Sequence, residues 1–402
     1  MILKHHLNNH SKIGVILELV QGSSYCHVYD SIFNKNTGLQ GGVFYIDGFS
    51  ELDVHNSGFS NNFAVSSSIA YVQNQGIISF ETCSFSRNKV LTIGIIEVFD
   101  SISTSSFINS TFDEVQFATE EEIINELNDN TNCQYLWFAS DSYIEYLNLN
   151  QNLLDTAIIH ALISITEANF DFSSGNEIKD LMYASVMYGY HAKILMIDNY
   201  IHNLTLESSA FLLTESQLTI NSSTISEMYS VLNRDSYILQ FSSDSIVKLI
   251  NTNFSDSLVA VINGFGSILE MDSIWFTNIV ANNRIIDWFD VREVVINNFN
   301  TLDCKSSIDT EMLKFRECTI EMFSNSTFVN SQLYTLKFRD SVIKNFTGNV
   351  IDGINKGMQV DGTVLNIYNT TFKNMVQNEQ QADIIQSALI SDGSAIGKPI
   401  DF

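Results

Sequence analysis

Residues 51–62 read ELDVHNSGFSNN. Leu52 and Val54 stand two apart, a polar residue follows at Asn56, and an aromatic returns at Phe59. Period-two apolar spacing puts i and i+2 on one face of a strand. The stretch therefore predicts a short strand that enters a polar turn and leaves it with an inward phenylalanine. The same pattern recurs as Cys26/Val28/Asp30/Phe33, Ile78/Phe80/Thr82/Phe85, Ile163/Ile165/Glu167/Phe170, Val247/Leu249/Asn251/Phe254 and Leu365/Ile367/Asn369/Phe372. Between 313 and 328 two registers compete, because Leu313/Phe315/Glu317/Ile320 fits as well as the copy ending at Phe328.

The copies ending at 170, 201, 225, 254, 276 and 299 step by 22 to 31 residues, and other strand-like pieces such as VFYI at 43–46 lie between copies. Several short strands per period of about 25 residues suit one coil of a β-solenoid. The expectation is an all-β chain, a single right-handed parallel β-helix of about 13 or 14 coils. An N-terminal segment or cap would occupy 1–25, the helix 26–376, and a C-terminal tail or cap 377–402. Residues 113–146 lengthen one step and include TEEEIINEL at 119–127, where Thr119 and Glu122 form a capping box. A short acidic helical loop is predicted there.

In this reading Leu52, Val54 and Phe59 point inward, and Asn56 stacks on its equivalents in neighbouring coils. An amide that both donates and accepts suits such a ladder. Three of the eight Asn-x-Ser/Thr sequons, at Asn109, Asn325 and Asn369, fall in that slot, where an inward side chain has no room for glycan. The sequons carry no compartment signal, since 41 Asn and 72 Ser plus Thr give about seven by chance.

The repeats resemble right-handed parallel β-helix repeats of the pectin-lyase-like class. They are most similar to those of polymorphic outer-membrane proteins and large ciliate surface proteins. Phe33-x-x-Asn36, Phe59-x-x-Asn62 and Phe85-x-x-Asn88 match the F-x-x-N signature, and Gly41-Gly42-Val43 matches the G-G-[AILV] signature once. The resemblance implies either a surface or secreted structural protein or a polysaccharide-acting enzyme.

With 20 basic and 46 acidic residues the net charge is −26, which repels a phosphate backbone and argues against nucleic acid. Carbohydrate or another protein is the expected partner. No segment of the sequence is apolar for long enough to span a membrane as a helix. The five cysteines are scattered without a CxxC pair, so isolated core thiols are expected, with a Cys304–Cys318 bridge as the alternative.

Catalytic signals are weak. Lys248, Glu270 and Glu293 would share one outward column with Asp272 beside them, an arrangement suited to an acid and nucleophile pair or to Ca²⁺, or to a plain solvated ion-pair column. A second outward group is Asp53, His55 and Glu81, either acid–base residues or an ordinary polar face. His5, His6 and His10 offer metal ligands only if the N-terminus is ordered, and Asn128-x-Asn130-x-Asn132 has partial calcium-loop spacing without the Gly and final Glu. Six arginines, none beside an acidic cluster, and no polygalacturonase-type run weigh against an enzyme. The leading expectation is a non-enzymatic structural or adhesion segment, extracellular or on the cell surface, whole or as a fragment of a longer chain. The alternative is a polysaccharide lyase or glycoside hydrolase using Glu270, Asp272 and Glu293.

Overall fold

The structure is a computed structural model. It describes residues 6–117 and 161–373, apart from 8–9, 14–15, 20–23, 93, 101, 115, 183–184, 207, 231–235, 282–283, 292, 307–311, 331–333 and 353–355. The predicted acidic helix at 119–127, the Asn128–Asn132 spacing and Cys133 lie outside the described residues. The chain forms two compact units, residues 1–193 and 194–402.

In the first unit one coil runs Glu51–His55, Gly58–Ser60, Phe63–Ser66 and Ala70–Gln73, then re-enters at Ile77–Glu81. Every strand pairs in parallel with its equivalent one coil away. Leu52 lies opposite Cys26 and Ile78, Val54 opposite Val28 and Phe80. The unit is thus a parallel β-solenoid, as the repeat predicts. Leu52, Val54 and Phe59 are fully buried. Phe33, Phe59, Phe85 and Phe112 stack along the interior with ring centroids 4.9, 4.9 and 4.6 Å apart and planes within 9° of parallel. Each such pair contributes about 0.5–1.5 kcal/mol beyond its burial. The stack fixes register, because a one-residue slip would turn every ring outward. The strands His6–Leu7, His10–Ile13 and Leu17–Leu19 already pair in parallel with the following coil, so pairing begins within the segment expected as a cap.

The ladder is not where the sequence reading put it. Asn56 is exposed and its φ is +48°, and Asp30, Thr82, Asn109 and Glu167 share this left-handed conformation. One left-handed residue kinks the strand and swings its own side chain outward. Asn and Asp tolerate that conformation best. The residue after the kink turns inward instead. Ser57 is 3% exposed, its Oγ accepts the Ser31 N–H at 3.1 Å, and its hydroxyl donates to the His55 carbonyl at 2.8 Å. The amide ladder sits at the next corner, at Asn36, Asn62 and Asn88, each fully buried. Asn36 Nδ2 donates to Asn62 Oδ1 at 2.7 Å, and Asn62 Nδ2 donates to Asn88 Oδ1 at 2.9 Å. These are the asparagines of the F-x-x-N runs. The same correction applies to the three sequons: Asn109, Asn325 and Asn369 are exposed.

Gly42 explains the single Gly-Gly match. A Cβ there would meet the Ser68 carbonyl oxygen at 2.5 Å, so a bare α-carbon lets two coils close at this corner.

The second unit repeats the plan with longer strands. Ile268–Thr277 and Glu293–Leu302 pair in one constant register from Ile268↔Glu293 to Thr277↔Leu302, broken only at the left-handed Ser273 and Asn298. Phe254, Phe276 and Phe299 continue an edge-on stack at 5.2 and 4.8 Å. The competing registers at 313–328 are both real. Leu313–Arg316 belongs to one sheet, Glu317 kinks at φ +56°, and Thr319–Ser324 begins the next sheet. Strand, kink and inward residue occur at more than one corner of each coil, so one sequence pattern marks several of them. For the same reason the copies at Ile163/Ile165 and Leu336/Phe338 sit on strands different from those of Leu52/Val54 and Leu365/Ile367.

Candidate functional site

On the outer face of the first unit three strands alternate strictly between core and surface. Cys26 and Val28, Leu52 and Val54, Ile78 and Phe80 point in. Tyr25, His27 and Tyr29 therefore point out, beside Glu51, Asp53 and His55, and then Ile77, Ser79 and Glu81. Register places His27 opposite Asp53 and Asp53 opposite Ser79, while Tyr29 lies opposite His55 and His55 opposite Glu81. Coils stack about 4.8 Å apart, so these columns bring side chains into contact.

Asp53 is the hub. Its Oδ2 accepts the Tyr25 hydroxyl at 2.6 Å and lies 3.4 Å from His27 Nδ1, and its Oδ1 accepts the Ser79 hydroxyl. The bond to Asp53 pushes the Tyr25 phenol up to about 12, because a phenolate there would lose that bond and face the carboxylate. His55 Nδ1 lies 3.0 Å from Glu81 Oε2, and its ring stacks on Tyr29 at 4.9 Å with planes 9° apart. His27, Asp53 and His55 each offer a donor atom, all within 4.8 Å of one another. Asp53, His55 and Glu81, the outward group expected from the repeat, meet through His55, which lies beside both carboxylates. His27 and Tyr25 join them on Asp53. The signal for His27 was present in the sequence, since aligning YCHVY with ELDVH puts His27 directly opposite Asp53.

The other nominated group is less convergent. Lys248 lies opposite Glu270, and Glu270 lies opposite Val295, whereas Glu293 lies opposite Ile268. Glu293 is thus outside the Lys248–Glu270 column, a correction caused by where its strand begins relative to its neighbour. Lys248 Nζ pairs with Glu270 at 2.6 Å, both about half exposed. Asp272 Oδ1 accepts Asn297 Nδ2 at 2.8 Å, and Asn297 Oδ1 accepts Asn325 Nδ2 at 3.0 Å. Lys344 pairs with Glu321 at 2.6 Å in the same coil-to-coil manner. Of the N-terminal histidines, His6 lies opposite Ile32 and His10 opposite Thr37, on separate sheets. His5 is outside the described residues.

One carboxyl is buried without being foreseen. Glu97 follows the outward phase of its strand yet is 1% exposed, and it accepts the Ser66 hydroxyl at 2.5 Å. Burial pushes it up to about 7, and the hydroxyl bonds only partly offset that.

Cys26, Cys83, Cys304 and Cys318 are free and buried, as isolated core thiols. Cys83 fills the small inward slot after the kink, where Ser57 and Ser31 stand one and two coils earlier. Its Sγ lies 3.5 Å from the Glu81 carbonyl, and burial pushes the thiol up to about 11. Among the described residues no helix is long and apolar enough to cross a membrane.

These observations define a parallel β-helix with an exposed Tyr-His-Asp face. No known protein family and no curated protein sequence matches the chain. Among solved structures it is similar to PfbA, a surface adhesin of Streptococcus pneumoniae, at 12% identity over 88% of this chain and 84% of that one, with a TM-score of 0.42. It is also similar to the A-module of a mannuronan C-5 epimerase of Azotobacter vinelandii, at 5% identity over 90% and 92% with a TM-score of 0.28. A third is an exopolygalacturonase of Thermotoga maritima, at 9% identity over 88% and 84% with a TM-score of 0.22. At these TM-scores the likeness says nothing of function.

Proposed function

We propose that the chain is a non-enzymatic structural or adhesion segment of a surface or secreted protein, a β-helix scaffold that presents a polar and aromatic face to carbohydrate or to another protein. One observation carries this reading. Three outward carboxylates of the second unit are engaged by the adjacent coil, in Lys248–Glu270, Asn297–Asp272 and Lys344–Glu321. Such side chains tie coil to coil and hold one another rather than converge on a reacting atom. Tyr25 and Tyr29 supply what a sugar or peptide surface binds, flat rings with polar edges. The net charge of −26 favours neutral or cationic partners over polyanions. Glycan-array and cell-surface binding by the purified chain, compared with Y25A/Y29A, tests the reading. Binding reduced by the substitutions supports it; product release from a polysaccharide without saturable binding to surfaces refutes it.

The Asp53 cluster favours a second reading, a polysaccharide-acting enzyme. For a polyuronide, whose binding the net charge of −26 opposes, His55 or His27 would take the proton α to the sugar carboxyl. That electron pair would form the ring double bond as the glycosidic C–O bond breaks, and Tyr25 would protonate the departing oxygen. Ultraviolet absorbance of the unsaturated product distinguishes this reading from the first.

A further inference from the structure

We infer that His27, Asp53 and His55 form a binding site for one divalent transition-metal ion, with Zn²⁺ or Co²⁺ the chemistry they suit. The inference is independent of whether the same face also binds a glycan. Two imidazoles and one carboxylate are a ligand set that zinc accepts, leaving the fourth position to water. In a tetrahedral site with bonds of about 2.0–2.1 Å, ligand atoms stand about 3.3 Å apart. His27 Nδ1 and Asp53 Oδ2 are 3.4 Å apart before any ion is present.

A second observation points to a ligand. His27 Nδ1 is shielded from solvent and has no hydrogen-bond partner among the described residues. A polar atom withdrawn from water in that way costs free energy unless something occupies it. Its distance to Asp53 is that of two ligands sharing an ion. The imidazole is also fixed in place, with Tyr25 edge-on at 4.3 Å and Tyr29 at 5.7 Å.

The outer contacts are those a metal site requires. His55 Nδ1 is paired with Glu81 at 3.0 Å, which leaves Nε2 as the lone-pair atom and makes it a better donor. Tyr25 and Ser79 hydroxyls orient the Asp53 carboxylate. Glu81 and Glu51 add negative charge on the same face, which favours a cation over a neutral ligand. His55 completes the set by a side-chain adjustment, which its partly exposed position permits.

The test uses the full chain carrying H5Q/H6Q/H10Q, so that the N-terminal histidines do not contribute. Co²⁺ is titrated while visible absorbance is followed, and Zn²⁺ then displaces it. The expected result is one equivalent bound, weakened at least about 100-fold by H27Q or D53N and about 10–100-fold by E81Q. The control H191Q, at the turn between Ser185–Tyr190 and Lys193–Ile197, leaves the titration unchanged. Thermal melting of each variant shows that it is folded, and E81Q alters only an exposed side chain. Absence of Co²⁺ bands at micromolar protein, or D53N and H27Q binding like the parent, overturns the inference.

Discussion

Replacing Asn62 by alanine removes the middle amide of the buried ladder, and the structure gives the cost. Asn62 Oδ1 accepts the Asn36 backbone N–H at 3.1 Å and Asn36 Nδ2 at 2.7 Å. Asn62 Nδ2 donates to the Phe33 carbonyl at 3.0 Å and to Asn88 Oδ1 at 2.9 Å. All three asparagines are fully buried, so water does not readily replace what is lost. Alanine strands at least the Asn36 backbone N–H and weakens the side-chain amide beside it. At about 1–3 kcal/mol for each buried polar group left without its partner, the expected loss is about 3–5 kcal/mol. That is a large share of the about 5–15 kcal/mol that holds a typical domain together. The matched control is Asn56→Gly. Asn56 is exposed and left-handed, and glycine adopts that conformation freely, so a change within about 0.5 kcal/mol is expected. Urea unfolding followed by far-ultraviolet circular dichroism measures both. The reasoning is refuted if N62A costs less than N56G, because the inward amide would then be at the kink.

Glu97 makes stability depend on pH in an unusual direction. Its folded carboxyl is raised from 4.5 to about 7, so the folded state holds a proton that the unfolded state releases. The contribution is full below pH 4.5, is lost as pH rises through 7, and totals about 3 kcal/mol at 1.36 kcal/mol per pH unit. Glu97→Gln should flatten the urea midpoint between pH 5 and 8; an unchanged slope contradicts the assignment. The buried thiols are held protonated, with Cys83 and Cys304 pushed up to about 11 and Cys318 to about 12. A thiol reagent at neutral pH should leave these three unmodified until denaturant is added, and rapid modification of any of them in the native protein would show that the position opens.

The alternation in ELDVH and YCHVY determined the strands and their inward faces, since period two admits only one arrangement once a core must be filled. The phenylalanine after each turn was legible for the same reason. The kink was legible only as a polar slot. Asn, Asp, Thr and Glu at one position read as a ladder or a turn alike, and only the backbone, left-handed at Asn56, decided that its side chain leaves the core. The true ladder at Asn36, Asn62 and Asn88 was visible as spacing but not as depth. Strand starts had to be known before Glu293 could be separated from the Glu270 column, because a shift of two residues is invisible in composition. The His27–Asp53 approach depends on stacking residues 26 apart in sequence. Local pattern therefore fixed which side chains face out, whereas the pairing of one coil on the next, a long-range event, decided which of them meet.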